Sequence, residues 1–290
     1  VHKSVLKKEV LEYLNPRADE NFIDATFGEG GHSLSILEKN KPEGKVLGIE
    51  INETLYQKAS SQKIKRLSLV NDSFTNLKEI FKKSGLKNVS GILFDLGFSS
   101  WHLEESEKGF SFLRDEDLDM RYGNSSCPTA KEIINKWPER DIEEILKKYG
   151  EERFAGRISR EIARRREKKP IETTFQLVEI IKNAFPARYH YQRINFATRT
   201  FQALRIAVND ELGRIEQTLP QALEILKKGG RIVVISFHSL EDRIIKNYFR
   251  ENYKKGLLKI LTKKPIRPGS EEIAHNPRSR SAKLRSAEIL

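Results

Sequence analysis

The sequence predicts an α/β protein: a parallel sheet covered by helices and interrupted by an inserted all-helical domain. Three observations carry this reading. As far as Asp95, short apolar runs alternate with helical periodicities in the order βαβαβαβ, the pattern of a parallel sheet. From about Trp101 to Ala197 only helical patterns appear, over a stretch too long for a plain loop. The α/β pattern resumes at Thr198. The 290 residues therefore divide into 1–103, 104–197 and 198–290, with the first and last parts building one sheet around the insertion.

Taken in order, Val5, Leu6, Val10, Leu11 and Leu14 give Ser4–Leu14 a helical period, and Asn15-Pro16 stops it. Phe22-Ile23 begins a strand that passes through Asp24 and Ala25 into a glycine turn at Gly28, Gly30 and Gly31. Leu34, Ile36 and Leu37 then mark a helix. Lys45–Ile51 is the second strand, and Asn52 or Glu53 opens a helix to about Lys63. Leu67–Asn71 is the third strand. Asn76–Ser84 is a helix with Gly85 as its stop, and Gly91–Asp95 is the fourth strand. The insertion holds helices over Ala130–Trp137, Ile142–Lys148, Glu151–Glu167 and Thr174–Ala184. Phe201, Leu204, Val208, Leu212, Ile215 and Leu219 step by three and four, which predicts one long helix kinked or broken at Pro220. Arg231–Phe237 is the fifth strand. Ser239-Leu240-Glu241-Asp242 reads as a capping box for a helix to about Tyr253. Leu257–Thr262 and Lys283–Ile289 are candidate last strands whose pairing stays open.

Net charge is +12, and Arg250–Leu290 alone carries 11 Lys/Arg against 4 Asp/Glu. Clustered positive charge is the footprint of a polyanion partner. No apolar run approaches membrane-span length, so no membrane partner is expected. Val1-His2-Lys3-Ser4 leads into an amphipathic pattern rather than a secretory signal, which makes the cytoplasm the expected compartment. The one cysteine, Cys127, excludes an internal disulfide and a Cys-based zinc cluster. No two of the six histidines share metal-ligand spacing, so no metal is expected.

The chemistry gathers at the strand ends. Glu50 follows Gly28 by 22 residues, an offset at which a carboxylate accepts hydrogen bonds from ribose hydroxyls. Asp24, Glu50 and Asp95 together suit a cationic, hydroxyl-rich ligand better than a pyrophosphate. S-adenosylmethionine is such a ligand, with a sulfonium, an ammonium and a ribose but no phosphate. On this reading Gly30, Gly31 and His32 offer backbone N–H groups to its methionine end, Glu50 takes the ribose, and Phe74 either packs on the adenine or is a plain core aromatic. The glycine turn alone is weak, since its spacing is not G-x-G-x-x-G and such turns are as often tight connections without a ligand. Asp95-Leu-Gly-Phe-Ser-Ser100-Trp-His102 follows the fourth strand, on the acceptor side of such a sheet. There Asp95 would accept a hydrogen bond from an exocyclic amine, and Phe98 or Trp101 would stack a base. Carbon-directed cytosine methylation needs a cysteine nucleophile. Cys127 is the one candidate, and its place before Pro128 favours a simple turn. His238, at the fifth strand's end, is a candidate contact for RNA or acceptor base, or a loop histidine bonded to backbone. Asn276–Arg285 spaces basic and hydroxyl side chains as a phosphate-binding strand would.

Phe22–His32, Asp95–Ser100, Gly109–Phe112, Leu118–Arg121, Tyr149–Phe154, Ala197–Arg205, Ile235–Arg243 and Asn276–Ser281 together resemble the RsmH (MraW) family of bacterial small-subunit ribosomal RNA methyltransferases, over nearly the whole chain. The resemblance implies a class I, Rossmann-like S-adenosylmethionine-dependent methyltransferase sheet with a helical insertion. It implies methylation of the N4 amine of a decoding-centre cytidine in 16S ribosomal RNA, with the assembled small subunit as the expected substrate, and no obligate protein partner is inferred from the sequence. Implied cofactor contacts are Gly30, Gly31, His32, Glu50, Phe74, Asp95 and His102, with Asp95 also the candidate catalytic acceptor. Arg199, Arg205, His238, Arg278 and Arg280 are the expected RNA contacts. Three departures stand out. Asp115-Glu116-Asp117-Leu118-Asp119 replaces a usual Asp-Gly-Pro-Leu-Asp, Glu50 replaces a frequent Asp, and Ile194-Asn195-Phe196 stands where relatives often have His-Pro. Two rival readings are an NAD-type oxidoreductase and a non-catalytic RNA-binding or ribosome-assembly factor. Diffuse positive charge argues against the first, and intact acidic strand ends argue against the second.

Overall fold

The apolar runs fold as strands because helices cover both of their faces. A computed structural model describes residues 4–97, 100–123, 127–186 and 195–290. β1 (Asn21–Asp24), β2 (Val46–Glu50), β3 (Leu67–Asn71), β4 (Val89–Asp95), β5 (Leu226–Ser236), β6 (Leu258–Ile260) and β7 (Lys283–Ile289) form one sheet in the order β3-β2-β1-β4-β5-β7-β6. β1 to β5 pair in parallel, and β7 runs antiparallel between β5 and β6. Alternate side chains enter opposite cores. Ile23, Leu47, Ile49, Ile92, Phe94, Ile232 and Val234 meet one layer, and Phe22, Val46, Leu93, Val233 and Ile235 the other. The second layer takes Val10 and Leu14 from α1 (Lys7–Leu14) and Ile36 and Leu37 from α2 (Gly31–Lys39). After α3 (Glu53–Ser60), the first layer takes Leu77 and Ile80 from α4 (Leu77–Ser84). Each such large apolar side chain stabilises the fold by about 1.5–3 kcal/mol when fully buried.

Contacts divide the chain into two units, residues 1–97 with 212–290 and residues 98–211. The second unit is helical: α5 (Ser100–Glu104), α6 (Ala130–Lys136), α7 (Glu139–Gly150), α8 (Ala155–Arg166), α9 (Thr174–Ala184) and α10 (Thr198–Asn209). Its core joins Ile133, Ile142, Leu146, Ile158, Ile162, Leu177, Ile181, Phe201 and Leu204. Thr129 starts α6 through a capping box with Glu132.

The structure corrects several expectations. The long helix after Thr198 is two helices, α10 and α11 (Glu211–Ile225), and Pro220 lies inside the second without ending it. The break falls at Asp210, which takes φ 47, a left-handed conformation that Asp and Asn tolerate. Asn209 secures this stop. Its amide donates to the carbonyls of Met120 and Arg205, and its oxygen accepts from the Tyr122 N–H. Because Phe201, Leu204 and Val208 pack in the helical core, α10 belongs to the helical unit, and the sheet unit resumes at Leu212 rather than Thr198. α12 (Ser239–Lys254) is capped by His238, not Ser239. Residues Pro277–Ser281 form a 3-10 turn after α13 (Ser270–His275), so Arg278 and Arg280 do not lie on a strand. Among the described residues no helix is long and apolar enough to cross a membrane.

Candidate active site at the strand ends

In a parallel sheet neighbouring strands end on one side, and here β1, β2 and β4 bring Asp24, Glu50 and Asp95 to that edge. Glu50 is buried and uses both oxygens. One accepts from the Gly28 N–H at 2.7 Å, the other from the Asn52 N–H at 2.7 Å. The first bond ties the glycine turn to β2. Gly28 takes φ 56 and Gly30 φ 80, both favouring glycine. A Cβ on Gly30 would stand 2.5 Å from the Phe27 ring, and one on Gly31 would collide with the Ser4 hydroxyl.

Asp24 is also buried. It accepts from the Thr26 N–H at 3.2 Å and from the Ser33 hydroxyl at 2.7 Å, fixing the first turn of α2 to the end of β1. The Thr26 hydroxyl accepts from the Asp95 N–H at 2.6 Å, which joins the β1 turn to β4. Thr26 and Ser33 escape the sequence reading. The one available signal is Asp24-Ala25-Thr26, a spacing that allows an Asx turn.

His32 lies in the first turn of α2, with Nε2 3.6 Å from an Asp95 carboxylate oxygen. Among the described residues, both ring nitrogens of His32 and Oδ1 of Asp95 are buried without a hydrogen-bond partner. Leaving such atoms unpaired costs about 1–3 kcal/mol each, so a polar group brought to them would be favoured. Burial pushes the Glu50 carboxyl up to about 7. It also pushes Asp24 up, against the pull of nearby His32. A cation placed among these carboxyls would hold them ionised. Asp24 and Glu50 thus give this edge a pair of buried carboxyls that a cationic ligand would complement. Phe74 opens the 3-10 turn after β3, edge-on to Phe94 at 6.0 Å, with the Arg214 guanidinium 6.0 Å from its centroid.

Several of the other predicted residues already have partners. In the helical unit, His102 is buried edge-on to Phe110 and Tyr122 at 5.1 and 5.3 Å, and burial pushes it down to about 4. Trp101 meets His102 edge-on, and Phe98 lies outside the described residues. Arg205 is held by both oxygens of Glu211, at 2.7 and 3.0 Å. Arg199 is exposed and donates to the Glu151 carbonyl. Cys127 packs against the helical core. In the sheet unit, His238 accepts from the Glu241 N–H through Nδ1, while Nε2 lies 3.3 Å from the Glu241 carboxylate. Arg278 and Arg280 are exposed.

A seven-stranded sheet in this order, with β7 antiparallel and acidic ends on β1, β2 and β4, defines a class I S-adenosylmethionine-dependent methyltransferase. The family comparison agrees: the MraW methylase family model matches residues 1–290, and the chain belongs to that family. It is 47% identical over 293 residues to the ribosomal RNA small subunit methyltransferase H of Sulfurihydrogenibium azorense, covering 100% of this chain and 99% of that relative. The protein of the same name from Persephonella marina is 46% identical, over 99% of this chain and 98% of its own length. Among solved structures, an rRNA methylase from Streptococcus thermophilus is 12% identical with a TM-score of 0.44, covering 98% of this chain and 93% of that one.

Proposed function

We propose that this enzyme moves the methyl group of S-adenosylmethionine to the exocyclic N4 amine of one cytidine in the decoding centre of 16S ribosomal RNA. It acts in the cytoplasm, on the small ribosomal subunit, without an obligate protein partner. One observation carries the reading: His32 and Asp95, 3.6 Å apart at the strand ends beside Asp24 and Glu50, hold buried polar atoms with no hydrogen-bond partner among the described residues. Bound S-adenosylmethionine supplies an electrophilic methyl whose thioether leaves uncharged. The protein's work is therefore alignment and charge complementarity. Asp24, Glu50 and the glycine turn hold the cofactor. The N4 amine of cytosine is a weak nucleophile, because its lone pair is delocalised into the ring. A hydrogen bond donated by that amine to Asp95 favours the pyramidal nitrogen, and the same carboxylate can take the proton that N4 must lose.

The test is transfer of labelled methyl from S-adenosylmethionine to small subunits lacking the modification, followed by nucleoside analysis. N4-methylcytidine at a single position is the expected result. Label on cytosine carbon 5 would overturn the acceptor assignment and point to Cys127. Cofactor binding with no transfer would favour the assembly-factor reading.

A further inference from the structure

α8 carries five arginines and no lysine in 12 residues, and four of them divide by task, with Arg165 exposed beside them. Arg166 is structural: its guanidinium donates to the carbonyls of Ile134 and Trp137, closing the end of α6. Ile158, Ser159 and Ile162 bury the opposite face. Arg157, Arg160 and Arg164 follow at i, i+3 and i+7, an exposed stripe roughly 10 Å long at the helical rise. Arg153, just before the helix, continues it. Arg153 and Arg157 both lie 5.9 Å from the Phe154 ring centroid, which braces the first two guanidinium groups.

The stripe runs against helix stability. Arg157 stands in a first turn that has no acidic residue, where the helix dipole favours anions. Like charges three and four apart repel one another. Arg164 is paired with Glu161, and on neighbouring α7 Glu143 is taken by Lys147. Among the described residues, Arg153, Arg157 and Arg160 have no ion pair. Repulsion left uncompensated in the isolated chain is relieved by a polyanion. Arginine also adds the planar fork that grips phosphate oxygens in pairs.

We propose that the Arg153–Arg157–Arg160–Arg164 stripe is a docking face for the phosphate backbone of the RNA substrate, fixing position without reading sequence. This rests on the function proposed above for its substrate, but it is tested separately by binding. The experiment compares the wild-type chain with R157A/R160A/R164A for affinity to unmodified small subunits across a salt series. A second triple variant, K58A/K82A/K83A, removes the same charge from exposed positions on α3 and α4. Each phosphate that the chain no longer neutralises should lower the log–log salt slope by about 0.7–0.9, so the slope of the arginine variant should fall by about 2 to 3. KM should rise with kcat retained, and R157K/R160K/R164K should recover the slope but only part of the affinity. Equal falls in the lysine variant would show that net charge alone acts, and would overturn the proposal. So would an arginine variant whose slope matches the wild type. If wild-type chain binds subunits through the stripe yet transfers no methyl, the proposed function fails and the docking face stands.

Discussion

On the function proposed above Asp95 has two roles at one side chain: one oxygen faces His32, and the other has no hydrogen-bond partner among the described residues. Asp95→Ala should lower kcat at least 100-fold, while calorimetric titration of S-adenosylmethionine shifts by no more than about tenfold. Full activity in that variant would remove Asp95 from the mechanism. Glu50 offers a test that needs no substrate. Its folded-state pKa is raised from 4.5 to about 7 by burial, so the folded chain holds this proton more tightly than the unfolded chain does. That contribution to stability is complete below pH 4.5 and is lost as pH rises through 7, with an upper limit of about 3 kcal/mol. Glu50→Gln should therefore flatten the decline of Tm between pH 5 and pH 7.5 in the ligand-free protein. A residual slope is expected from Asp24, which burial also raises. An unchanged Tm profile would mean that Glu50 stays ionised in the folded chain.

At the scale of elements, α6 shows how a local signal becomes stability. Thr129 accepts from the Glu132 N–H at 3.1 Å, and Glu132 accepts from the Thr129 N–H at 3.1 Å. Thr129→Ala should cost about 1 kcal/mol, read from urea unfolding at constant m-value. A loss under about 0.3 kcal/mol would show that water replaces the cap. Elements set by such local chemistry are readable in the sequence. Leu67–Asn71 falls where its apolar run placed it, because Leu67 and Val70 pack against the two cores of the sheet. Thr174–Ala184 does so because Leu177, Ile181 and Ala184 bury one helical face. Elements set by distant partners are not readable. The stop at Asp210 depends on Asn209 reaching Met120 and Tyr122, which lie 89 and 87 residues away. The place of β7 between β5 and β6 depends on antiparallel pairing that no alternation reveals. The His238 cap is hidden because imidazole is an uncommon acceptor there. The site divides the same way. A carboxylate at a strand end is conspicuous, so Glu50 and Asp95 stand out. Thr26 and Ser33 are ordinary hydroxyls until the fold sets them against Asp95 and Asp24.

Across the whole molecule, the two units carry buried groups of opposite sign. In the sheet unit, burial raises Glu50 to about 7 and raises Asp24, so mild acid stabilises it. In the helical unit, burial lowers His102 from 6.5 to about 4. The unfolded chain then takes up that proton more readily, so this stability is present above pH 6.5 and is lost as pH falls toward 4. Glu152, raised by burial in the same unit, offsets part of the loss. The depressed carboxyls Glu20, Asp119 and Asp242 act only below their ordinary range and leave pH 5 to 7 clear. Hydrogen exchange, corrected for intrinsic rates, should show protection in β1, β2 and β4 rising from pH 7.5 to pH 5 while protection in α6 and α9 falls. His102→Gln should abolish the fall in the helices and leave the strands unchanged. If the cofactor binds as proposed, saturating S-adenosylmethionine should flatten the trend in the strands, because a cation beside Asp24 and Glu50 would favour their ionised forms. Parallel trends in both units would mean that one of these buried groups keeps its ordinary pKa.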